Sequence, residues 1–169
     1  MAECKIIVVG CNHGVQPRDR DWMGDSDQVK EHKAQFQKLI DTLIKENKIQ
    51  FIGEEWGPSS VTNAYAAADD NKIPWANINT TNEELDALKI PRDYVNNAAY
   101  SADQKEQWTR QRDPVMLAKI LEHKAERFLV VCGFGHFSQL SEMLDKTCKH
   151  PEKVDCRTLD WYDDKLFSD

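Results

Sequence analysis

Two short apolar runs constrain this chain more than any other feature: Lys5-Ile-Ile-Val-Val9, ending at Gly10, and Phe128-Leu-Val-Val-Cys132, ending at Gly133. Both are rich in β-branched residues and neither alternates with polar ones, the mark of strands buried on both faces. Helical patterns separate them. Phe36, Leu39, Ile40, Leu43 and Ile44 follow the i, i+3, i+4, i+7, i+8 rule inside Ser26–Asn47, behind a cap-like Asp25-Ser26. Further strands are predicted over Ile49–Gly53, Ile73–Ile78 with Pro74 at its start, and Val154–Trp161. Further helices are predicted from Ser59 or Ser60 to Asp70, from a Thr81/Glu84 capping box to Leu88, over Ser101–Glu126 with an interruption or kink at Pro114, and over Phe137–Lys146. Strands alternating with helices predict an α/β fold, with a mostly parallel central sheet of about five strands and helices on both faces. The length, 169 residues, suits one such domain spanning 1–169.

The charge balance limits the partners. A formal net charge of −7 argues against a nucleic-acid partner, which needs a basic stripe. No apolar run reaches the roughly 20 residues of a membrane helix, and Ile6–Val9 lacks the features of a secretory signal. Cys4, Cys11, Cys132, Cys148 and Cys156 are odd in number and form no CxxC pair. They read as reduced thiols of a cytoplasmic protein. Nothing in the sequence sets an oligomeric state.

In open α/β sheets ligands bind beyond the carboxyl ends of the strands. Gly10-Cys-Asn-His13 follows the first strand, Gly53-Glu54-Glu55-Trp56 the second, and Gly133-Phe-Gly-His136 the fourth. Two histidines and two carboxylates are thereby gathered at one sheet edge. Imidazoles with carboxylates make a mixed N/O set suited to a divalent metal (Mn, Zn or Fe), and they also supply acid–base groups. Adjacent residues of a strand point to opposite faces, so at most one of Glu54 and Glu55 aims into the site. Glu54, directly after Gly53, is preferred. His13, Glu54 and His136 are the candidate metal ligands.

Arg112 shares a stripe with Trp108, Met116 and Ile120 if Ser101–Glu126 is one helix, and then needs an anionic partner such as Glu54 or a ligand. If Asp113-Pro114 instead opens a new helix as N-cap and N1, Arg112 sits on the rim. The charged stretch Pro17–Asp27 lies over the same edge, and Trp22 and Trp56 are candidate apolar walls for substrate. Cys11 lies two residues from His13, whereas Cys132 completes a core run.

These elements resemble the TraB/PrgY/Tiki group, which belongs with erythromycin-esterase-like and ChaN-like proteins. The resemblance rests on the two Gly-x-x-His motifs, a glutamate after the second strand (Glu54 or Glu55), and Arg-Asp-x-x-Met over Arg112 to Met116. It implies a site of His13, a glutamate, Arg112 and His136, metal-dependent in the Tiki branch and hydrolytic in several branches. The expectation is a small metal-dependent hydrolase of an ester, lactone or peptide bond, acting on a small molecule or peptide. His136→Ala should then abolish turnover and leave stability nearly intact. The alternative is a non-catalytic module holding haem or a metabolite in the same crevice, with Tyr65 or Tyr94 as an axial group.

Overall fold

The computed structural model describes residues 4–18, 26–57, 61–148 and 150–167. Among these, five strands form one all-parallel sheet: β1 (Lys5–Cys11), β2 (Phe51–Glu54), β3 (Trp75–Asn77), β4 (Arg127–Gly133) and β5 (Glu152–Asp155), in the order β3-β2-β4-β1-β5. The two apolar runs are the adjacent strands β1 and β4, paired from Lys5↔Arg127 to Cys11↔Gly133.

This order decides which helix covers which face. The chain steps from β1 to β2 to β3 in one direction, through α1 (Asp27–Asn47) and α2 (Asn63–Asp70). It returns to β4 and β5 in the opposite direction, through α3 (Asn82–Ala87), α4 (Ala102–Leu121) and α5 (Phe134–Cys148). Right-handed crossovers therefore put the two groups on opposite faces. The core agrees. Ile7, Val9, Leu129 and Val131 pack with Phe36, Ile40 and Ala67 of α1 and α2, whereas Ile6, Val8, Phe128 and Val130 pack with Met116, Ile120, Leu140 and Leu144 of α4 and α5. Neighbours β1 and β4 thus send their connections to opposite faces. The crevice beyond their carboxyl ends is a topological switch point, where such sheets bind ligands.

Local chemistry fixes the helix ends. Ser26 caps α1 by accepting the Val29 N–H, and Thr81 with Glu84 forms the expected capping box of α3. The start expected at Ser59 or Ser60 lies outside the described residues, and Thr62 caps α2 by accepting the Tyr65 N–H.

Several boundaries differ from expectation, three of them for a reason visible in the structure. α4 is one helix with Pro114 inside it, so Asp113 is not an N-cap. Proline leaves the Arg110 carbonyl without its helical donor, and Gln139 of α5 donates to it at 3.1 Å. α5 begins at Phe134 directly after β4, which puts His136 in the first turn of the helix. β5 ends at Asp155, earlier than expected, because the Asp155 side chain accepts the Arg157 N–H and caps a 3₁₀ turn over Cys156–Thr158. No helix among the described residues is long and apolar enough to cross a membrane.

The seating of α5 on β1 depends on the absence of a side chain at Gly10. A Cβ there would lie 2.6 Å from the Phe137 ring. Gly10→Ala is expected to lower stability by about 1–3 kcal/mol through overpacking, measured by chemical denaturation. Combining it with Phe137→Leu should recover part of the loss.

Candidate active site

Strand parity separates the two glutamates. Glu54 pairs with Val131, on the face covered by α1 and α2, and Glu55 continues onto the α4/α5 face. The Glu55 carboxylate is the point on which the other groups converge. Its Oε1 accepts from Arg112 Nη2 at 3.0 Å and from His136 Nε2 at 3.1 Å. Its Oε2 accepts the Gly133 N–H at 2.9 Å and stands 3.6 Å from His13 Nε2. His13, Glu55, Arg112 and His136 are brought together, and Glu54 is not.

Glu55 is 3 % exposed. Burial alone would push its carboxyl up, but the His136 hydrogen bond and the charges of His13, His136 and Arg112 hold it well below the usual carboxylate range.

His136 is buried between two carboxylates, with Nδ1 2.5 Å from Asp113 Oδ1 and Nε2 facing Glu55. A carboxylate oxygen only accepts, so both ring nitrogens donate and the ring is an imidazolium. Burial opposes the charge, and the hydrogen bonds to Asp113 and Glu55 overcome it, raising the imidazole to about 9. Asp113 is itself pushed up by burial, and among the described residues its Oδ2 is buried without a partner.

Among the described residues Arg112 has four partners. Nε donates to Thr80 Oγ1 at 2.7 Å, Nη1 to the Tyr94 hydroxyl at 2.7 Å, and Nη2 to both Glu55 and Asn79 Oδ1. A guanidinium has five N–H groups, so among the described residues one N–H of Nη1 is left over. Arg112 is thus first a clamp on Glu55.

His13 lies in a short 3₁₀ helix, His13–Val15, capped by Asn12. Its side chain is 44 % exposed. It borders a cavity of about 280 Å³ that is also lined by Glu55, Tyr94, Arg112, Gly135 and His136. That volume is just below the roughly 300–1,000 Å³ typical of small-molecule sites. Gly133 makes the approach possible, since a Cβ there would sit 2.5 Å from His13 Nε2. Trp56 is buried with its ring 6.1 Å from that of His13. Trp22 lies outside the described residues. Cys11 and Cys132 are buried thiols pushed well above their ordinary range, first by burial, which suits packing and not nucleophilic attack.

As arranged, this set does not fit a resident metal. Both His136 nitrogens are committed to carboxylates, Glu54 is on the other face, and the Arg112 guanidinium holds one Glu55 oxygen. Among the described residues no group of three or more His, Cys, Asp or Glu side chains is placed to hold a metal ion. Tyr94 lends its hydroxyl to Arg112, and Tyr65 packs against Trp75.

Residues that sequence reasoning passed over complete the site. Asp113 looked like a helix cap because proline follows it, yet in a continuous α4 it reaches His136. Asn79 and Thr80 orient Arg112 together with Tyr94, which the sequence offered only as an axial group. Gln16, three residues after His13, holds its ring.

Compared with protein-family models, with curated proteins and with solved structures, the chain matches none. What defines it is an all-parallel α/β sheet whose switch point carries a histidine–carboxylate–arginine cluster.

His136 is too deeply placed for its removal to be neutral, contrary to the sequence expectation. His136→Ala would strand the Asp113 carboxylate and is expected to cost about 3–5 kcal/mol. A group whose folded pKa is raised contributes stability in full below its unfolded value and loses it as pH rises through the folded value. The melting temperature should therefore fall between about pH 6.5 and 9 in the wild type, and stay flatter over that window in His136→Gln.

Proposed function

We propose that the chain is a small hydrolase of an ester, lactone or peptide bond, a relative of the TraB/PrgY/Tiki group, working through its own acid–base groups. The observation that carries this reading is the gap between His13 Nε2 and Glu55 Oε2, 3.6 Å, at the wall of the cavity. That distance is too long for a direct hydrogen bond and suits a bridging water. Both atoms accept, so a water between them donates to each and turns a lone pair toward a substrate carbonyl.

In the reaction, His13 Nε2 takes a proton from this water as its oxygen bonds to the carbonyl carbon. The ionised Glu55 steadies the imidazolium that forms. The first-turn amides of α5 and the remaining Arg112 Nη1 N–H are donors for the developing oxyanion. His13 then returns the proton to the departing alkoxide or amine, giving an acid and an alcohol or amine. His136 keeps its protons and fixes the Glu55 carboxylate in place.

Small chromogenic esters and lactones are the first substrates to test. His13→Ala should reduce kcat by at least about 100-fold and leave the melting temperature within a few degrees, because this side chain is half-exposed. Full activity in that variant would overturn the reading. Purified protein should hold only substoichiometric metal. Near-stoichiometric Mn, Zn or Fe, lost in a His13→Ala/His136→Ala variant, would move the assignment to a metal-dependent hydrolase.

A further inference from the structure

On the sheet face opposite the site, Glu54 is fully buried, and among the described residues no Lys, Arg or His pairs with its carboxylate. A buried carboxylate without a cation is costly to keep. Its hydrogen bonds show what it does. Oε2 accepts from Thr62 Oγ1 at 2.6 Å and from Trp75 Nε1 at 2.9 Å, and Oε1 accepts from Gln16 Nε2 at 2.9 Å. The Thr62 hydroxyl already accepts the Tyr65 N–H, so its proton is directed at Glu54.

Gln16 is also fully buried. The second proton of its Nε2 goes to the Glu55 backbone carbonyl at 3.2 Å. Both partners of Nε2 are acceptors, so the amide has one orientation. With Glu54 ionised, above the value of about 7 to which burial raises its carboxyl, the turned-over amide would set its oxygen against a carboxylate and a carbonyl. The Gln16 Oε1 atom therefore faces His13 Nδ1, at 2.6 Å. An amide oxygen only accepts, so Nδ1 carries the proton, and the lone pair of neutral His13 is on Nε2, the atom facing Glu55 and the cavity.

We infer that Glu54 and Gln16 are positioning residues that set the tautomer of His13 from the far face of the sheet, keeping Nε2 free to accept a proton. This inference rests on the proposed role of His13 as base. It gives the buried carboxylate a task that neither metal binding nor packing supplies.

Glu54→Gln tests it with little change of shape. Thr62 and Trp75 require an oxygen at one end of the new amide, so its NH₂ would meet Gln16. The Gln16 amide is then expected to turn over, giving up its longer bond to the Glu55 carbonyl, and His13 Nδ1 becomes the acceptor. Ring-nitrogen NMR on ¹⁵N-histidine-labelled protein, at a pH where His13 is neutral, reads this directly. The wild type should show a protonated Nδ1 and a bare Nε2, and Glu54→Gln the reverse. Gln16→Met, of similar volume, should lose the strong preference and serves if Glu54→Gln does not fold. With an ester substrate, Glu54→Gln should lower kcat by about 100-fold at nearly constant KM. A wild-type His13 protonated on Nε2 overturns the inference, as does a Glu54→Gln variant that folds and keeps the wild-type tautomer. The spectra do not depend on turnover. Absence of hydrolysis with the expected tautomers would sink the hydrolase reading and leave the relay standing, and hydrolysis with unmoved tautomers would do the opposite.

Discussion

The Glu55 carboxylate sits at the end of β2 with almost no access to water, and the site takes its form from how that charge is held. Burial favours the neutral acid, yet two N–H donors on one oxygen and a backbone N–H on the other keep it ionised. Each donor comes from a different part of the chain. Arg112 belongs to α4, His136 to α5 and Gly133 to the last residue of β4. The charge thereby ties both helices of one face to the sheet edge. Removing one partner of such a buried pair costs about 3–5 kcal/mol because the other is left uncompensated. Cohesion and chemistry share one group here.

Strand geometry explains why two consecutive glutamates have separate tasks. A period of two sends Glu54 to the α1/α2 face and Glu55 to the α4/α5 face. His13 is reached from both. Glu55 faces its Nε2, and Gln16, oriented by Glu54, accepts from its Nδ1. One imidazole is thus set between two carboxylates that lie on opposite sides of the sheet, one facing it across a gap and one acting through an amide.

The fold was legible because the strands that define it are the most apolar stretches of the chain, and burial on both faces leaves an uninterrupted pattern. The sheet edge was legible for the same reason: His13, Glu55 and His136 each follow closely on a strand. The choice between Glu54 and Glu55 was not, since parity separates two neighbours without saying which face carries α4. That follows only from the strand order, through the handedness of the crossovers. Asp113 was obscured by Pro114, a local signal for a helix start that packing of Gln139 on the freed Arg110 carbonyl overrides. Gln16, Asn79 and Thr80 act through individual side-chain hydrogen bonds, most of them to residues distant in sequence, and such pairings leave no periodic trace.

Asp113 and an ionised Glu55 together keep His136 positively charged inside the protein. Site-resolved NMR titration of the His136 ring measures this most directly. Protonation on both nitrogens at neutral pH and a midpoint near 9 are expected, the midpoint falling in Glu55→Gln. A neutral His136 at pH 7, titrating at or below the ordinary histidine value near 6.5, would contradict this.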